Sequence, residues 1–233
     1  MSRNTDTIVI MGNGPSLKDV DFSSLNGVDT FGLNSAYRAY SRLGWYPTYH
    51  GCFDYRVTDN HLDAFKTFVE SSSDVKRFFY LQQVSDDSRV QKVNLLPYGS
   101  SRKWNDSEAD FSKFNDNGNS GANACSVATC LGYKKIILIG VDCNYVEFID
   151  GAVKDGAGLK MEKTPEKNPN YWFDDYQQKG DEYNVPRGLD FHMPTWNTFA
   201  YRAAQANISV VNCSPISNLK CFRKSTLEKE LPK

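Results

Sequence analysis

Short apolar runs alternate with helix-length segments along most of the chain. The predicted strands are Thr7–Met11, Thr30–Leu33, Tyr49–Phe53, Phe78–Leu81, Val93–Leu96, Lys135–Val141 and Ile208–Asn212. These runs are rich in β-branched residues and apolar on both faces, which is typical of a parallel sheet covered on both sides. Apolar residues three to four apart predict helices over Ala122–Leu131 and Thr195–Gln205. The pattern therefore predicts an α/β, Rossmann-like fold with a mostly parallel sheet and helices on both faces.

The segment from 150 to 189 is different in kind. It is polar and rich in Gly, Pro and Lys, and its embedded aromatic residues are Tyr171, Trp172, Phe173, Tyr176 and Tyr183. Connections of this length in a compact domain are usually lids, binding loops or disordered segments, and the aromatics favour a lid that packs on something. We therefore expect a single domain over 1–233 with this lid inserted.

Charge and composition exclude several classes of function. The chain has 27 basic and 28 acidic side chains, so no broad field attracts nucleic acid. No apolar run approaches the ~18 residues of a membrane span, and the first residues lead directly into a strand without a signal peptide. The six cysteines have no CxxC spacing and lie mostly in apolar runs, as reduced thiols do. We expect a cytoplasmic protein.

The three histidines give no metal-binding motif. Without HxH, HExxH or a Cys/His cluster, no metal site is predicted. His50 falls within a strand and His61 in a helical surface stretch. His192 lies just after the lid and before the last long helix, where an imidazole is a candidate general base, although a lone histidine is more often structural.

The first strand ends in the tight turn Gly12-Asn13-Gly14-Pro15-Ser16-Leu17. Its glycines allow backbone N–H groups to approach a phosphate at a helix N-terminus, and the alternative is a turn with no ligand. This is only half of the dinucleotide fingerprint, because Leu17 replaces the third glycine and Asn34 the acidic residue that holds a ribose. NAD is therefore disfavoured.

Polar residues follow several of the predicted strands. They are Asn13, Asn34, Asp54 and Asp142. Each alone is more often a turn former or a helix cap. Open parallel sheets bind ligands beyond the carboxyl ends of their strands, so the four together predict a ligand site there.

A second cradle precedes the small-residue helix. In Asn117-Gly118-Asn119-Ser120-Gly121, Ser120 or Asn119 can cap the helix while its free N–H groups face the same site. An anion or a carboxylate suits such a position, and an ordinary helix cap is the alternative.

These motifs occur together in one known family. The GNGPSL turn, the Asn34 turn, the block NSGANACSVATCLGYKKIILIGVD and a histidine before a final unit ending in NCSP resemble the bacterial sialyltransferases of lipooligosaccharide synthesis. The chain is similar as well to Rossmann-like domains of flagellin-modifying proteins and of archaeal pterin diphosphokinases. The lid is the least matched part.

The resemblance implies an inverting transfer of a nonulosonic acid from its CMP ester to a hydroxyl of a glycan or glycolipid, without metal or cofactor. Carried over by position, it assigns the nucleotide phosphate and ribose to Asn13, Gly14 and Ser16, adjacent donor groups to Asn34, the cytidine side to Asp54, the donor carboxylate to Ser120 and Gly121, and the general base to His192.

The chain departs from the family at the groups that assist the leaving phosphate. A family tyrosine falls at Asn144, with Tyr145 one position late. A second has no counterpart, so a lid tyrosine (Tyr171, Tyr176 or Tyr183) would supply that hydroxyl. The further departures are Asn117 for an arginine and Ser35 for a glutamine.

Two other functions stay open. One is a Mg²⁺-dependent diphosphokinase acting on ATP and a pterin alcohol, with Asp54 and Asp142 near the metal. The other is a nucleotide-binding module without catalysis.

The basic stretch from Lys220 to Lys233 suits anionic lipid beside a glycolipid acceptor, and a solvated tail is its alternative. The sequence leaves a homo-oligomer open.

Overall fold

The computed structural model describes residues 5–97, 111–146 and 148–232. Its strands are β1 (Thr7–Met11), β2 (Asp29–Leu33), β3 (Tyr49–Cys52), β4 (Arg77–Tyr80), β5 (Val90–Lys92), β6 (Leu95–Leu96), β7 (Phe114–Asn115), β8 (Lys135–Ile139), β9 (Ala152–Asp155), β10 (Gly158–Met161), β11 (Glu182–Asn184), β12 (Ser209–Asn212) and β13 (Arg223–Lys224). Its α-helices are α1 (Tyr37–Leu43), α2 (Tyr55–Asn60), α3 (Leu62–Ser71), α4 (Ser120–Cys130), α5 (Leu189–Gln205) and α6 (Leu227–Glu230).

Eight strands form one central sheet in the order β13-β12-β8-β1-β2-β3-β4-β5. Every neighbouring pair is parallel. Helices cover the sheet, so the predicted Rossmann-like α/β fold is confirmed. The strand order reverses at β1, since the chain moves from β1 towards β5 and later returns to β8 on the other side.

The two faces of β1 show why its sequence is apolar throughout. Ile8 and Ile10 point into the core under α4 and α5, and Val9 and Met11 point into the core on the opposite face. All four are almost completely buried. Successive side chains of a strand alternate between faces, so a strand covered on both sides is apolar at most of its positions.

Two predicted boundaries were wrong. The strand predicted over Val93–Leu96 is replaced by the edge strand β5 and the two-residue strand β6. Because β5 is only half-buried, its sequence carries a weak apolar signal. The last helix begins at Leu189 and continues through Pro194, whereas the sequence suggested a start just after that proline.

The insertion, residues 150–189, contains regular structure. Strands β9, β10 and β11 form an antiparallel sheet. From this sheet Leu159, Met161 and Tyr183 pack into a core cluster that also contains Phe65 of α3. The insertion therefore packs on the body, as predicted, but through a small sheet with its own buried side chains.

The C-terminal stretch also packs on the body as far as residue 232, and Lys233 lies outside the described residues. Arg223 belongs to the edge strand β13, and the buried Glu230 pairs with both Arg223 and Lys135, each within 2.9 Å. A solvated tail is therefore not what the structure shows, and lipid contact stays a prediction. None of the helices in the described ranges is both long and apolar enough to cross a membrane.

Candidate functional site

A cleft of about 1370 Å³ opens at the carboxyl ends of the central strands. It lies where the strand order reverses, which is where open α/β sheets bind ligands. The loops after β1 to β3, the N-terminal ends of α4 and α5, and the insertion form its walls. The predicted residues that line it are Asn13, Asn34, Asp54, Ser120, Gly121, Tyr145, Tyr171, Tyr176, Tyr183 and His192.

Three further predicted residues are not among those that line the cleft and lie behind its wall. They are Gly14, Ser16 and Asp142. Asp142 is 3% exposed and accepts hydrogen bonds from the Ser16 amide at 2.9 Å and from the Ser16 hydroxyl at 2.6 Å. A Cβ atom on Gly14 would lie 2.3 Å from Asp142 Oδ2. The structure therefore gives Ser16 and Asp142 a supporting position, since their polar groups bind each other, and Gly14 packs against them with its amide donating to the Gly140 carbonyl at 2.8 Å.

Asn13 and Asn34 bring amide groups to the cleft from the ends of β1 and β2. The Asn13 amide nitrogen donates to the Leu33 carbonyl at 3.1 Å. The side-chain oxygens of both asparagines are buried and have no partner within the described part of the chain. Asn34 also has a φ of 53°, a left-handed conformation that is uncommon outside glycine and is frequent at functional sites. Two acceptors are therefore ready for ligand hydroxyl or amino groups.

Asp54 caps α2 by accepting from the Val57 amide at 3.2 Å. Both of its carboxylate oxygens also lie 3.0 Å from the Asn184 amide nitrogen in the insertion. Asp54 thus has the structural role of a cap, and it lines the cleft as well.

The start of α4 confirms one of the two caps considered. Asn119 is the cap, and its side-chain oxygen accepts from the Ala122 amide at 2.8 Å. Its amide nitrogen donates to the Thr195 hydroxyl, which fixes the start of α4 against α5. Ser120 and Gly121 then form the first turn at the cleft wall. A Cβ on Gly121 would contact Trp196 at 2.9 Å, so only glycine lets the two helices pack so closely.

His192 lies in the first turn of α5, opposite Tyr145. The two ring centroids are 5.6 Å apart. Burial lowers the pKa of His192, and the positive charge of Arg187 lowers it further, while a hydrogen bond to the Arg187 backbone raises it. The imidazole is therefore neutral at pH 7. Donation to that backbone group leaves the other ring nitrogen with a free lone pair, as a base requires.

The tyrosines of the insertion make different contacts. Tyr171 and Tyr176 stack at 3.8 Å between centroids. The Tyr183 hydroxyl instead contacts the sulfur of Met161 at 3.0 Å, inside the insertion. Burial raises the pKa of Tyr171 and Tyr176, so both remain protonated donors at neutral pH. Tyr145 is 43% exposed and is a protonated donor as well, because a phenol ordinarily titrates near pH 10.

Asn117, which stands where the related family has an arginine, is buried away from the cleft. Its amide nitrogen donates to Asn123 at 3.0 Å and to Ser126 at 2.9 Å, both on α4. Arg202 of α5 approaches its side-chain oxygen at 3.4 Å. Asn117 therefore stabilises the approach to α4 through hydrogen bonds and brings no charge to the site.

Sequence reasoning missed a charged group at the cleft wall. His61 was expected on the surface but is 5% exposed, and its Nε2 lies 3.2 Å from Asp181 Oδ1. Arg38 of α1 also binds Asp181. No spacing signal could have joined Arg38 to a residue 143 positions later.

Within the described ranges no group of three or more His, Cys, Asp or Glu side chains is arranged to hold a metal ion. Asp54 and Asp142, the carboxylates considered for magnesium, are each occupied by backbone and side-chain donors. They do not come together as a pair on the cleft, because only Asp54 lines it.

Comparison with solved structures finds proteins of similar fold. No family model matches the chain, and no curated protein matches it. Sialyltransferase CstII from Campylobacter jejuni, solved with cytidine-5'-monophosphate, is 17% identical with a TM-score of 0.53, over 96% of this chain and 86% of that one. The α-2,3-sialyltransferase Cst-I from Campylobacter jejuni is 18% identical with a TM-score of 0.51, over 94% and 79%. The MAf glycosyltransferase from Magnetospirillum magneticum AMB-1 is 15% identical with a TM-score of 0.57, over 99% of this chain but 35% of that one.

The chain thus has the Rossmann-like fold of the bacterial sialyltransferases. This confirms, at the level of the fold, the resemblance seen in the sequence motifs.

Proposed function

We propose that the protein is a sialyltransferase-type glycosyltransferase. In this proposal it moves a nonulosonic acid from its CMP ester to a hydroxyl of a glycan or glycolipid, such as a lipopolysaccharide precursor on the cytoplasmic side of the membrane. The fold supports it, because CstII has been solved with CMP and a trisaccharide acceptor.

One observation carries the proposal. The cleft contains two buried amide oxygens, on Asn13 and Asn34, that have no partner among the residues the structure describes, and a neutral histidine, His192. The amide oxygens can accept from ribose or sugar hydroxyls, and the histidine can accept the proton of an incoming hydroxyl. A binding module needs the first feature and has no use for the second.

The reaction then follows from these groups. The acceptor hydroxyl gives its proton to His192 while its oxygen bonds to the anomeric carbon of the donor. The bond from that carbon to the phosphate oxygen breaks, and its electron pair leaves with CMP. Attack opposite the leaving group inverts the anomeric centre. The Tyr145 and Tyr171 hydroxyls, which stay protonated, donate to the leaving phosphate, so the proposed step needs no metal.

Ligand-dependent melting tests the proposal. We expect CMP and CDP to raise the melting temperature with or without Mg²⁺, and UDP, GDP and NAD to have little effect. A ligand at ~100 times its dissociation constant adds about 2.7 kcal/mol to the free energy of unfolding. A shift with ATP and Mg²⁺ but none with CMP would favour the diphosphokinase and overturn the proposal.

Amide variants refine the same test. Asn13→Ala and Asn34→Ala should each weaken CMP binding roughly tenfold or less, since one hydrogen bond contributes about 0.5–1.5 kcal/mol. The exposed Asn197 of α5 provides a matched control, because Asn197→Ala removes an amide away from the cleft. Equal affinity in all three variants would contradict the assignment of the two amides.

A further inference from the structure

A buried ion pair joins the insertion to the body next to the cleft. Arg38 of α1 binds Asp181 through both guanidinium ends, with Nη1 to Oδ2 at 2.5 Å and Nη2 to Oδ1 at 2.9 Å. The two side chains are 14% and 10% exposed. The carboxylate accepts further from His61 Nε2 at 3.2 Å and from the Gln178 amide at 2.7 Å.

Asp181 is ionised in this environment. Burial opposes its charge, but the hydrogen bonds from Arg38 and His61 outweigh that cost and lower the pKa of Asp181 to about 2. Buried ion pairs are often no more stabilising than apolar side chains of the same volume, and their best attested use is to fix one arrangement. The contacts of this pair indicate which arrangement it fixes.

Arg38 connects the pair to the wall of the cleft. Its Nη1 also donates to the Tyr176 carbonyl at 2.8 Å. The Tyr176 hydroxyl then accepts from the Ser35 amide at 3.2 Å, and its ring stacks on Tyr171. Ser35 directly follows Asn34, which has a left-handed backbone conformation. The side-chain oxygen of Asn34 is one of the two buried amide oxygens without a partner among the described residues.

We propose that Arg38 and Asp181 are positioning residues for the cleft wall, an inference that rests on the proposed function. Acting through Tyr176, they hold the Tyr171 ring and the Asn34–Ser35 backbone in the arrangement that receives the nucleotide sugar. Neither is assigned a contact with the reacting atoms.

The chain provides a matched control one helical turn further on. Arg42 of α1 binds Asp175 of the insertion with the same two-ended geometry, at 2.9 and 3.0 Å. That pair is 48% and 40% exposed, and neither residue lines the cleft. Arg42→Lys and Asp175→Asn therefore alter an equivalent link between the same two elements but leave intact the hydrogen bond from Arg38 to the Tyr176 carbonyl.

The experiment compares Arg38→Lys and Asp181→Asn with these controls, well below the melting temperature of each variant. We expect CMP dissociation constants, measured by titration calorimetry, to rise tenfold or more in the first pair and less than twofold in the controls. In a Tyr176→Phe background, Asp181→Asn should raise the CMP dissociation constant by less than a further threefold. The reason is that both changes act on the hydrogen bond between the Tyr176 hydroxyl and the Ser35 amide. Full additivity, or equal affinity in all variants, would overturn the inference.

Hydrogen exchange gives a readout that needs no ligand. The peptide containing the Ser35 amide should exchange at least tenfold faster in Asp181→Asn and Arg38→Lys than in the Arg42→Lys and Asp175→Asn controls. If Asp181→Asn does not fold, Arg38→Lys, which keeps the buried charge, decides the question by the same criterion. Unchanged Ser35 exchange overturns the positioning role even if CMP binds. If Ser35 exchange is faster in the Arg38 and Asp181 variants but the wild-type protein does not bind CMP, the positioning role stands and the proposed function is overturned.

Discussion

At the scale of single residues, the cleft brings together side chains that are far apart in the sequence. Asn13, Asn34 and His192 all line it, because parallel topology brings the positions after strands and before a helix to one edge. Side-chain orientation was not predictable from the sequence. The Ser16 hydroxyl turns to Asp142, 126 positions away, so a motif residue that looked like a ligand supports the wall instead.

His192→Ala should leave CMP affinity within about twofold and reduce transfer by roughly 10²–10⁴, since a general base acts on the acceptor hydroxyl. The rate should fall as pH drops through the pKa of His192, because only the neutral ring accepts a proton. Burial lowers that pKa, so this acid limb should lie below about pH 6.5, the ordinary histidine value. Calorimetry and a pH–rate profile measure the two effects, and loss of CMP binding would indicate a structural histidine.

The turn after β1 allows binding to be separated from stability. Gly14→Ala should lower the free energy of unfolding by about 1–3 kcal/mol, because its Cβ would meet the fixed Asp142 carboxylate. Asn13→Ala should lower CMP affinity and lower the free energy of unfolding by only about 0.5–1.5 kcal/mol, because it removes a single hydrogen bond to the Leu33 carbonyl. Denaturant titration and calorimetry distinguish the two. A stable Gly14→Ala protein would mean that Asp142 moves easily, against the tight contacts described.

At the scale of elements, the central parallel strands and α4 were predictable because their burial requires a high density of apolar residues in the sequence. The insertion was not. Its strands are three or four residues long, and its order comes from contacts with distant elements, such as Leu159 beside Phe65. Local composition shows that such a segment has few apolar residues. It does not show that those residues are buried in one shared cluster with distant parts of the chain.

The insertion and its neighbouring loop supply a prediction about the leaving group. Tyr145→Phe and Tyr171→Phe should each reduce kcat more than tenfold, because each removes a protonated donor at the cleft. Tyr183→Phe is the control, since its hydroxyl contacts Met161, and its kcat should stay within threefold. Steady-state kinetics with saturating donor measure these effects. Equal kcat in all three variants would show that phosphate departure is assisted elsewhere.

At the scale of the whole molecule, the two ends of the sheet have different roles. The carboxyl ends form the cleft, while the amino ends contain a buried polar network. There the Tyr133 hydroxyl donates to the fully buried Asp29 at 2.7 Å and contacts the Tyr49 hydroxyl at 3.0 Å. Asp29 begins β2, four residues and roughly 13 Å from Leu33 at the cleft end of that strand.

Tyr133→Phe should therefore lower the free energy of unfolding by about 1–3 kcal/mol, the cost of leaving a buried acceptor short of a donor. CMP affinity should be unchanged. The exposed Tyr201 gives a control, because Tyr201→Phe removes a hydroxyl that faces solvent. A change in CMP affinity in Tyr133→Phe would mean that the two ends of the sheet are coupled.

The short strand β13 leaves only a small, charged edge at this side of the central sheet. It covers the outer edge of β12 with only two residues, Arg223 and Lys224, both charged and exposed. A short, positively charged edge discourages pairing with another sheet, whereas β12 alone would offer the unpaired backbone groups of Val211 and Asn212. Removing the C-terminal stretch would therefore change two properties at once. It would expose an aggregation-prone edge of β12, and it would remove the basic side chains whose lipid binding is in question. Charge-reversing substitutions at Lys220 and Lys229, which leave β13 in place, are the sounder way to examine lipid binding by this stretch.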